Sequence, residues 1–196
     1  MNKGIKKACG DYCLFLNSGD WLLSEDTVQN EKNASHTEDI VYFNSINVKG
    51  NHRQKAELPD KLDTYYFASG HTIFHQNELI KTNLLKETPY NENLKLFSDN
   101  EFNIKTLILQ KKSYKHCSNT ISCYEAASGM SSTQRGLLFK EQKQVLIECF
   151  GEEIYNRYQL LNDYETGYYG IMKKIRSFLN WMASKTTRKY QVENKH

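Results

Sequence analysis

One short unit near the start constrains the chain more than any other: the apolar run Asp11–Leu16 (DYCLFL), followed at once by Asn17-Ser18-Gly19-Asp20. A short, mostly apolar run bounded by turn residues predicts a buried strand. Asn, Ser, Gly and Asp in succession predict the turn that ends it. The unit therefore puts a carboxylate at the C-terminal end of a buried strand, the edge at which open α/β sheets receive ligands. A carboxylate there can share Mg²⁺ or Mn²⁺ with substrate phosphates. Local chemistry alone favours the plainer reading, a turn closed by its own Asn and Asp.

The rest of the pattern fits a mixed α/β chain with a helical C-terminus. Residues 3–9 read as the end of a short helix capped by Gly10. Trp21-Leu22-Leu23 re-enters apolar territory, and residues 24–37 are polar with no clear period. Asp39–Val48 reads as a second strand, the stretch 52–68 as weakly structured, His71–Phe74 as a third strand, and Asn77–Thr82 as a short helix. Phe97, Phe102, Ile104, Leu107 and Ile108 fall near helical spacing, with Ser98 as N-cap and Glu101 completing a capping box. Residues 113–124 read as strand. From Thr133 to about residue 185 the chain reads as helix, interrupted near Gly151 and Gly167–Gly170. The expected division is residues 1–132 and a helical segment, 133–196.

Composition excludes some classes. Hydrophobic residues make up 39% and aromatics 12% of 196 residues, enough for a core and too much for a disordered tail. No apolar run approaches the roughly 20 residues of a membrane-spanning helix, and Gly10 and Asp11 interrupt the basic N-terminus before a signal-peptide core could form. A cytoplasmic location is the expectation. The five cysteines are odd in number and read as thiols; Cys9 and Cys13 lack the second pair a structural zinc site needs. Residues 171–196 hold seven Lys or Arg against Glu193 alone, a net +6, leaving −3 for the rest of a +3 chain. Ile171, Ile175, Phe178, Leu179 and Met182 form one stripe beside Lys173, Lys174 and Arg176. A basic amphipathic helix suits an anionic membrane surface, and the same stripe suits a helix docked on the body. Nucleic acid is not expected, because the body is acidic and the basic residues lack interleaved aromatics on a strand platform.

Taken in order, Met1-Asn2-Lys3-Gly4-Ile5, Ala8, Gly10-Asp11-Tyr12 and Phe15-Leu16-Asn17-Ser18-Gly19-Asp20 resemble the centre of the family 2 glycosyltransferases. Later segments follow in the family's order: His71 with Phe74, then Ser98-Asp99-Asn100-Glu101-Phe102, then Ser128-Gly129-Met130-Ser131. The resemblance, to the colanic-acid type of surface-polysaccharide enzyme, spans residues 1–132. It implies a partial GT-A fold and an inverting, metal-dependent transfer of sugar from a nucleotide-diphosphate sugar to a glycan or lipid-linked acceptor. Asp99 stands where the family places its base. Asp20, with Asn17, stands for the Mg²⁺ or Mn²⁺ ligands, although the family's DxD register falls on Asn17-Ser18-Gly19. Asn2, Lys3 and Gly19 fall on the donor side, and His71, Gly129 and Ser131 on the acceptor and diphosphate side. Because the sequence opens inside the matching helix, the βα units that hold base and ribose in such enzymes are expected to be missing, with weak or no turnover. The resemblance also implies action at the inner face of the cytoplasmic membrane, on lipid-linked acceptors. The competing reading is a non-catalytic glycan- or protein-binding remnant. The Tyr cluster (Tyr155, Tyr158, Tyr164, Tyr168, Tyr169) reads as helix packing rather than sugar stacking.

Overall fold

Strand β3 (Ile40–Lys49) organises the sheet, and Ile40 to Ser45 are all buried along it. Successive side chains of a strand point to opposite faces. Ile40 and Tyr42 therefore enter a large core, while Val41 and Phe43 enter a small one with Ile121. The structure, a computed structural model, describes residues 1–125 and 129–193; the side chains of 165, 169, 173, 174, 176 and 178–193 lie outside that description.

The sheet order is β1-β5-β3-β6-β2, with β4 paired to the far end of β3. The strands are β1 (Tyr12–Cys13), β2 (Trp21–Leu22), β4 (His52–Ala56), β5 (Glu78–Lys81) and β6 (Tyr114–Glu125). β3 and β6 run parallel; every other pair is antiparallel. The β3–β6 register slips around Asn44. There the Asn44 side chain replaces the broken ladder, donating to Ser118 O at 2.7 Å and accepting from Leu58 N at 2.9 Å. The chain is thus mixed α/β.

Helices α1 (Asn2–Lys7), α4 (Thr82–Glu87), α5 (Ser98–Asn103) and α7 (Arg135–Phe150) cover one face. They bring Ile5, Leu84, Leu85, Phe102, Val145 and Leu146 into the large core, each buried apolar side chain contributing about 1.5–3 kcal/mol. α5 runs on as a π-helical stretch, Ile104–Leu109, whose Ile104 and Leu107 join the same core. Helix α2 (Thr27–Asn33) lies in the stretch read as aperiodic and polar, and α3 (Thr64–Ala68) is capped by Asp63, which accepts from Tyr66 N at 2.9 Å.

The compact unit runs Met1–Tyr155, past the division expected at residue 132, because α7 buries Val145 and Leu146 in its core. The second unit, Asn156–His196, holds most of α8 (Glu152–Glu193). Gly151, at φ +86, ends α7 as expected, whereas Gly167 and Gly170 do not interrupt α8. Ile171 and Ile175 are exposed; the side chains of Phe178, Leu179, Met182, Lys173, Lys174 and Arg176 lie outside the described residues. Tyr155 packs against the large core, while Tyr164 and Tyr168 are exposed and the Tyr169 side chain is outside the description.

Several local expectations need correction. α1 stops at Lys7 with Ala8 in extended backbone, so Gly10 is not its cap. The DYCLFL run pairs only at Tyr12–Cys13 and is half-buried. His71–Phe74 is not a strand; the chain turns through a 3₁₀ segment, His75–Asn77, and the strand is β5, where a helix was expected. Ser98 is the first helical residue rather than the N-cap, which is Phe97. Glu101 instead accepts from Asn91 at 3.1 Å and Lys105 at 2.7 Å.

Candidate functional site

The turn at Asn17–Asp20 closes on itself, Asp20 N donating to Asn17 O at 3.1 Å. Gly19 takes φ +98, a left-handed value that glycine adopts without strain, and a side chain there would meet Glu125 Cβ at 3.7 Å. The turn holds Asp20 against two other elements. Its Oδ1 accepts from Glu125 N at the end of β6 at 2.9 Å, and its Oδ2 accepts from Gln76 Nε2 at 2.8 Å.

Gln76 belongs to a 3₁₀ turn whose neighbouring residue, His75, bridges the same Asn17–Asp20 turn to α5. His75 Nδ1 lies 2.8 Å from Asp99 Oδ2, and its Nε2 lies 2.9 Å from Asn17 Nδ2. An amide NH₂ only donates, so with Asn17 so oriented Nε2 accepts and Nδ1 carries the proton given to Asp99. Asp99 Oδ1 accepts from Asn100 N at 2.8 Å. The His75 and Asp99 side chains are only 12% and 16% exposed.

The segment 72–78 laces the site together. Thr72 Oγ1 bonds Asn100 Oδ1, His75 bonds Asp99, and Asn103 Nδ2 donates to Glu78 Oε1 at 2.7 Å. In the same segment, Gln76 holds Asp20 and Asn77 Oδ1 accepts from Ser122 Oγ of β6 at 2.5 Å. The entrance of α5 is fixed from α7: the buried Glu141 carboxylate accepts from the backbone of Lys95, Leu96 and Phe97 at 2.8–3.1 Å.

Asn17, Asp20 and Asp99 are thus gathered by adjacent residues of one turn. The other expected residues lie elsewhere or play other parts. Asn2 is taken up with the chain at Tyr90, donating to its O at 2.7 Å and accepting from its N at 3.1 Å, and it also donates to Glu92. Lys3 is exposed. His71 is exposed and stacks on the Tyr66 ring at 5.2 Å; it makes no described bond to the turn or to Asp99. Gly129 opens α6 (Met130–Thr133), and Ser131 Oγ is 3.4 Å from Tyr124 Oη, one residue from the Glu125 amide that holds Asp20. Ser128 lies outside the described residues.

Burial dominates the site's interior electrostatics. Glu78 is completely buried, and the loss of water together with nearby Asp99 pushes its carboxyl well above the usual carboxylate range, against the favourable Asn103 bond. Burial pushes the Tyr90 and Tyr66 phenols up in the same way, with Glu78 adding to both.

The donor set for a cation is small. Among the described residues no group of three or more His, Cys, Asp or Glu forms a metal-holding cluster. Asp20 offers a carboxylate and Asn17 an amide oxygen, a set that fits Mg²⁺ or Mn²⁺ only where substrate phosphates and water supply the remaining ligands. A cleft of about 1020 Å³ opens on the small-core face, lined by Tyr12, Leu14, Glu31, His36 and Lys86 among others. None of Asn17, Asp20, His75 or Asp99 lines it.

His75 and Gln76 are the residues that sequence reading missed. Their signal was a polar triplet, His75-Gln76-Asn77, directly after an apolar pair, Ile73-Phe74. No protein-family model matches the chain, and no curated protein matches it.

Proposed function

We propose that the chain is the metal- and acceptor-side portion of an inverting glycosyltransferase that uses a nucleotide-diphosphate sugar and a glycan or lipid-linked acceptor. The observation that carries this reading is the joining of Asp20 and Asp99 through consecutive residues, Gln76 and His75. It supports one shared site for the acid at the turn and the acid at the start of α5. In that site Asp99 is the general base. The acceptor oxygen bonds to the anomeric carbon, its proton passes to Asp99, and the bond from that carbon to the diphosphate breaks with its electrons leaving on the diphosphate. His75, donating from Nδ1, orients Asp99, and Asn17 fixes the His75 tautomer. Asp20 and Asn17 would hold Mg²⁺ or Mn²⁺, which supplies positive charge for the departing diphosphate.

The partial GT-A assignment belongs to this same proposal, as does a cytoplasmic site of action. Among the described residues no helix is long and apolar enough to cross a membrane. The tail, 171–196, is proposed to meet an anionic membrane surface, on the strength of its charge and stripe.

A second reading, a non-catalytic glycan- or protein-binding domain, is favoured by one observation. Both oxygens of Asp20 already accept from protein donors, as in a structural clasp. A transfer assay separates the two. The full chain is supplied with uridine- and thymidine-diphosphate sugars, Mn²⁺ and lipid-linked acceptors. Product that disappears in Asp99→Asn supports the enzyme; product equal in wild type, Asp99→Asn and Asp20→Asn overturns it.

A further inference from the structure

We propose that the buried pair Glu78–Asn103 is the positioning element of the Asp99–His75 dyad. This deepens the proposed transferase site and rests on Asp99 acting there. The geometry is that of a ladder with an outer and an inner rung. Asp99 and Asn103 are four apart on α5 and so lie on one face of it, while His75, in the 3₁₀ turn, and Glu78, the first residue of β5, are three apart on the segment bonded to that face. His75–Asp99, at 2.8 Å, is the rung nearer solvent; Glu78–Asn103, at 2.7 Å, has neither residue exposed. The buried rung holds α5 at the distance that the outer rung requires.

The unpaired atoms reveal the chemical form of this rung. Asn103 Nδ2 donates to Glu78 Oε1, while Glu78 Oε2 and Asn103 Oδ1 are both buried without a hydrogen-bond partner. A carboxylate cannot relieve that, since Oε2 and Oδ1 would both be acceptors. A carboxylic acid can: its O–H is the donor that Oδ1 lacks, and the pair then closes as a cyclic acid–amide dimer with two bonds. The titratable groups around Glu78 are Asp99 from α5, Tyr66 from α3 and Tyr90, none of them a cation that would favour an ionised Glu78. A neutral Glu78 places no second charge beside Asp99.

Glutamine reproduces the acid's hydrogen-bond pattern, with Nε2 in place of the O–H, and this makes the test specific. The full chain is labelled with ¹⁵N-histidine, and long-range ¹H–¹⁵N correlations report the His75 tautomer. In wild type His75 is expected with its proton on Nδ1. Glu78→Gln should keep that signature, and Glu78→Leu should shift it toward the Nε2–H form common in unrestrained histidine, in a protein whose circular dichroism is unchanged. If Glu78→Leu does not fold, Asn103→Ser takes its place with the same expectation. A Glu78→Gln spectrum altered as much as that of the Leu or Ser variant overturns the acid–amide rung. A folded Leu or Ser variant with the wild-type tautomer overturns the positioning role. This measurement needs no substrate, so failure of the transferase reading shows separately, as product equal in wild type and Asp99→Asn in the transfer assay.

Discussion

Asp20 and Asp99 share no bond, yet each is held by one of two consecutive residues, Gln76 Nε2 at 2.8 Å and His75 Nδ1 at 2.8 Å. Consecutive Cα atoms are about 3.8 Å apart, so two acids from distant parts of the sequence are tied together through one peptide unit. A small shift of the 72–78 segment would move both together. The site's rigidity therefore depends on what anchors that segment: Ser122 on one side, and Asn100 and Asn103 on the other.

The first prediction concerns the dyad. Asp99→Asn removes the base while keeping its size, and sugar transfer should fall by about 10²–10⁴-fold. His75→Ala leaves Asp99 unsupported and should cost on the order of 10²-fold, the scale of a base misplaced by about an ångström. Both changes should appear in kcat rather than in KM. A His75→Ala enzyme with wild-type kcat would remove His75 from the mechanism.

Asp20 carries a structural and a chemical role that substitution can separate. Asp20→Ala strands the Gln76 amide and the Glu125 N–H, and should destabilise the chain by about 1–3 kcal/mol in urea unfolding. Asp20→Asn should cost less. Gln76 Oε1 is buried with no partner, so a turned Gln76 amide can accept from the new Asn. The Asn variant should therefore fold nearly as well as wild type but lose its dependence on Mn²⁺. Equal unfolding midpoints for Ala and wild type would show that the clasp carries no stability.

The central strands were legible in the sequence; the element that joins Asp20 and Asp99 was not. β3 announces itself through Ile40-Val41-Tyr42-Phe43, a run of β-branched and aromatic residues, and β6 more weakly through scattered Tyr114, Thr120, Ile121 and Tyr124. Ile73-Phe74 has the same composition as a strand, yet the chain turns immediately after it, and β5 takes the pairing position beside β3. The Ser98/Glu101 capping pattern failed for a long-range reason. Glu141, more than forty residues later, takes the N–H groups of Lys95, Leu96 and Phe97 just before α5, and within the first turn Asp99 Oδ1 takes Asn100 N–H, so Ser98 starts the helix instead of capping it. His75 reads as an ordinary polar residue until the turn at Asn17 and the start of α5 are brought to it. Local pattern holds no record of that meeting.

Glu141 yields the next prediction. Its buried carboxylate takes three backbone N–H groups, so Glu141→Ala leaves three donors without partners. Bonds to a charged group contribute about 1.5–3 kcal/mol each, and the variant should lose at least that much stability. Because the loop it holds leads into α5, the His75 tautomer should change as well. Leu160→Ala, on the exposed part of α8, should change stability by no more than about 0.5 kcal/mol. A Glu141→Ala variant as stable as Leu160→Ala would show that α7 is not integral to the first unit.

For the tail, a net +6 over residues 171–196 predicts binding to phosphatidylglycerol vesicles at low salt and release at high salt. Each Lys or Arg near an anionic surface contributes about 1 kcal/mol, falling off within a Debye length. Replacing Phe178 and Leu179 with Ser should remove a salt-resistant part of the binding. Co-sedimentation at low and high salt reads both effects. No sedimentation at low salt would end the membrane proposal.

The last prediction follows from the charge state of Glu78. Burial raises its carboxyl well above the ordinary value of 4.5, so between that value and its folded one the native state holds a proton that the unfolded state has released. Stability must then fall as pH rises through this window, since the unfolded chain binds fewer protons than the native one. The contribution is complete below about pH 4.5 and is lost progressively above it. Glu78→Gln carries no such proton. Its stability relative to wild type should therefore improve steadily from pH 5 to pH 8, with the smallest difference at the acid end. Urea unfolding of both proteins across that range measures the difference directly. A difference independent of pH would mean that Glu78 titrates alike in the folded and unfolded chains, and an opposite slope would mean that the native state holds it ionised against a cation.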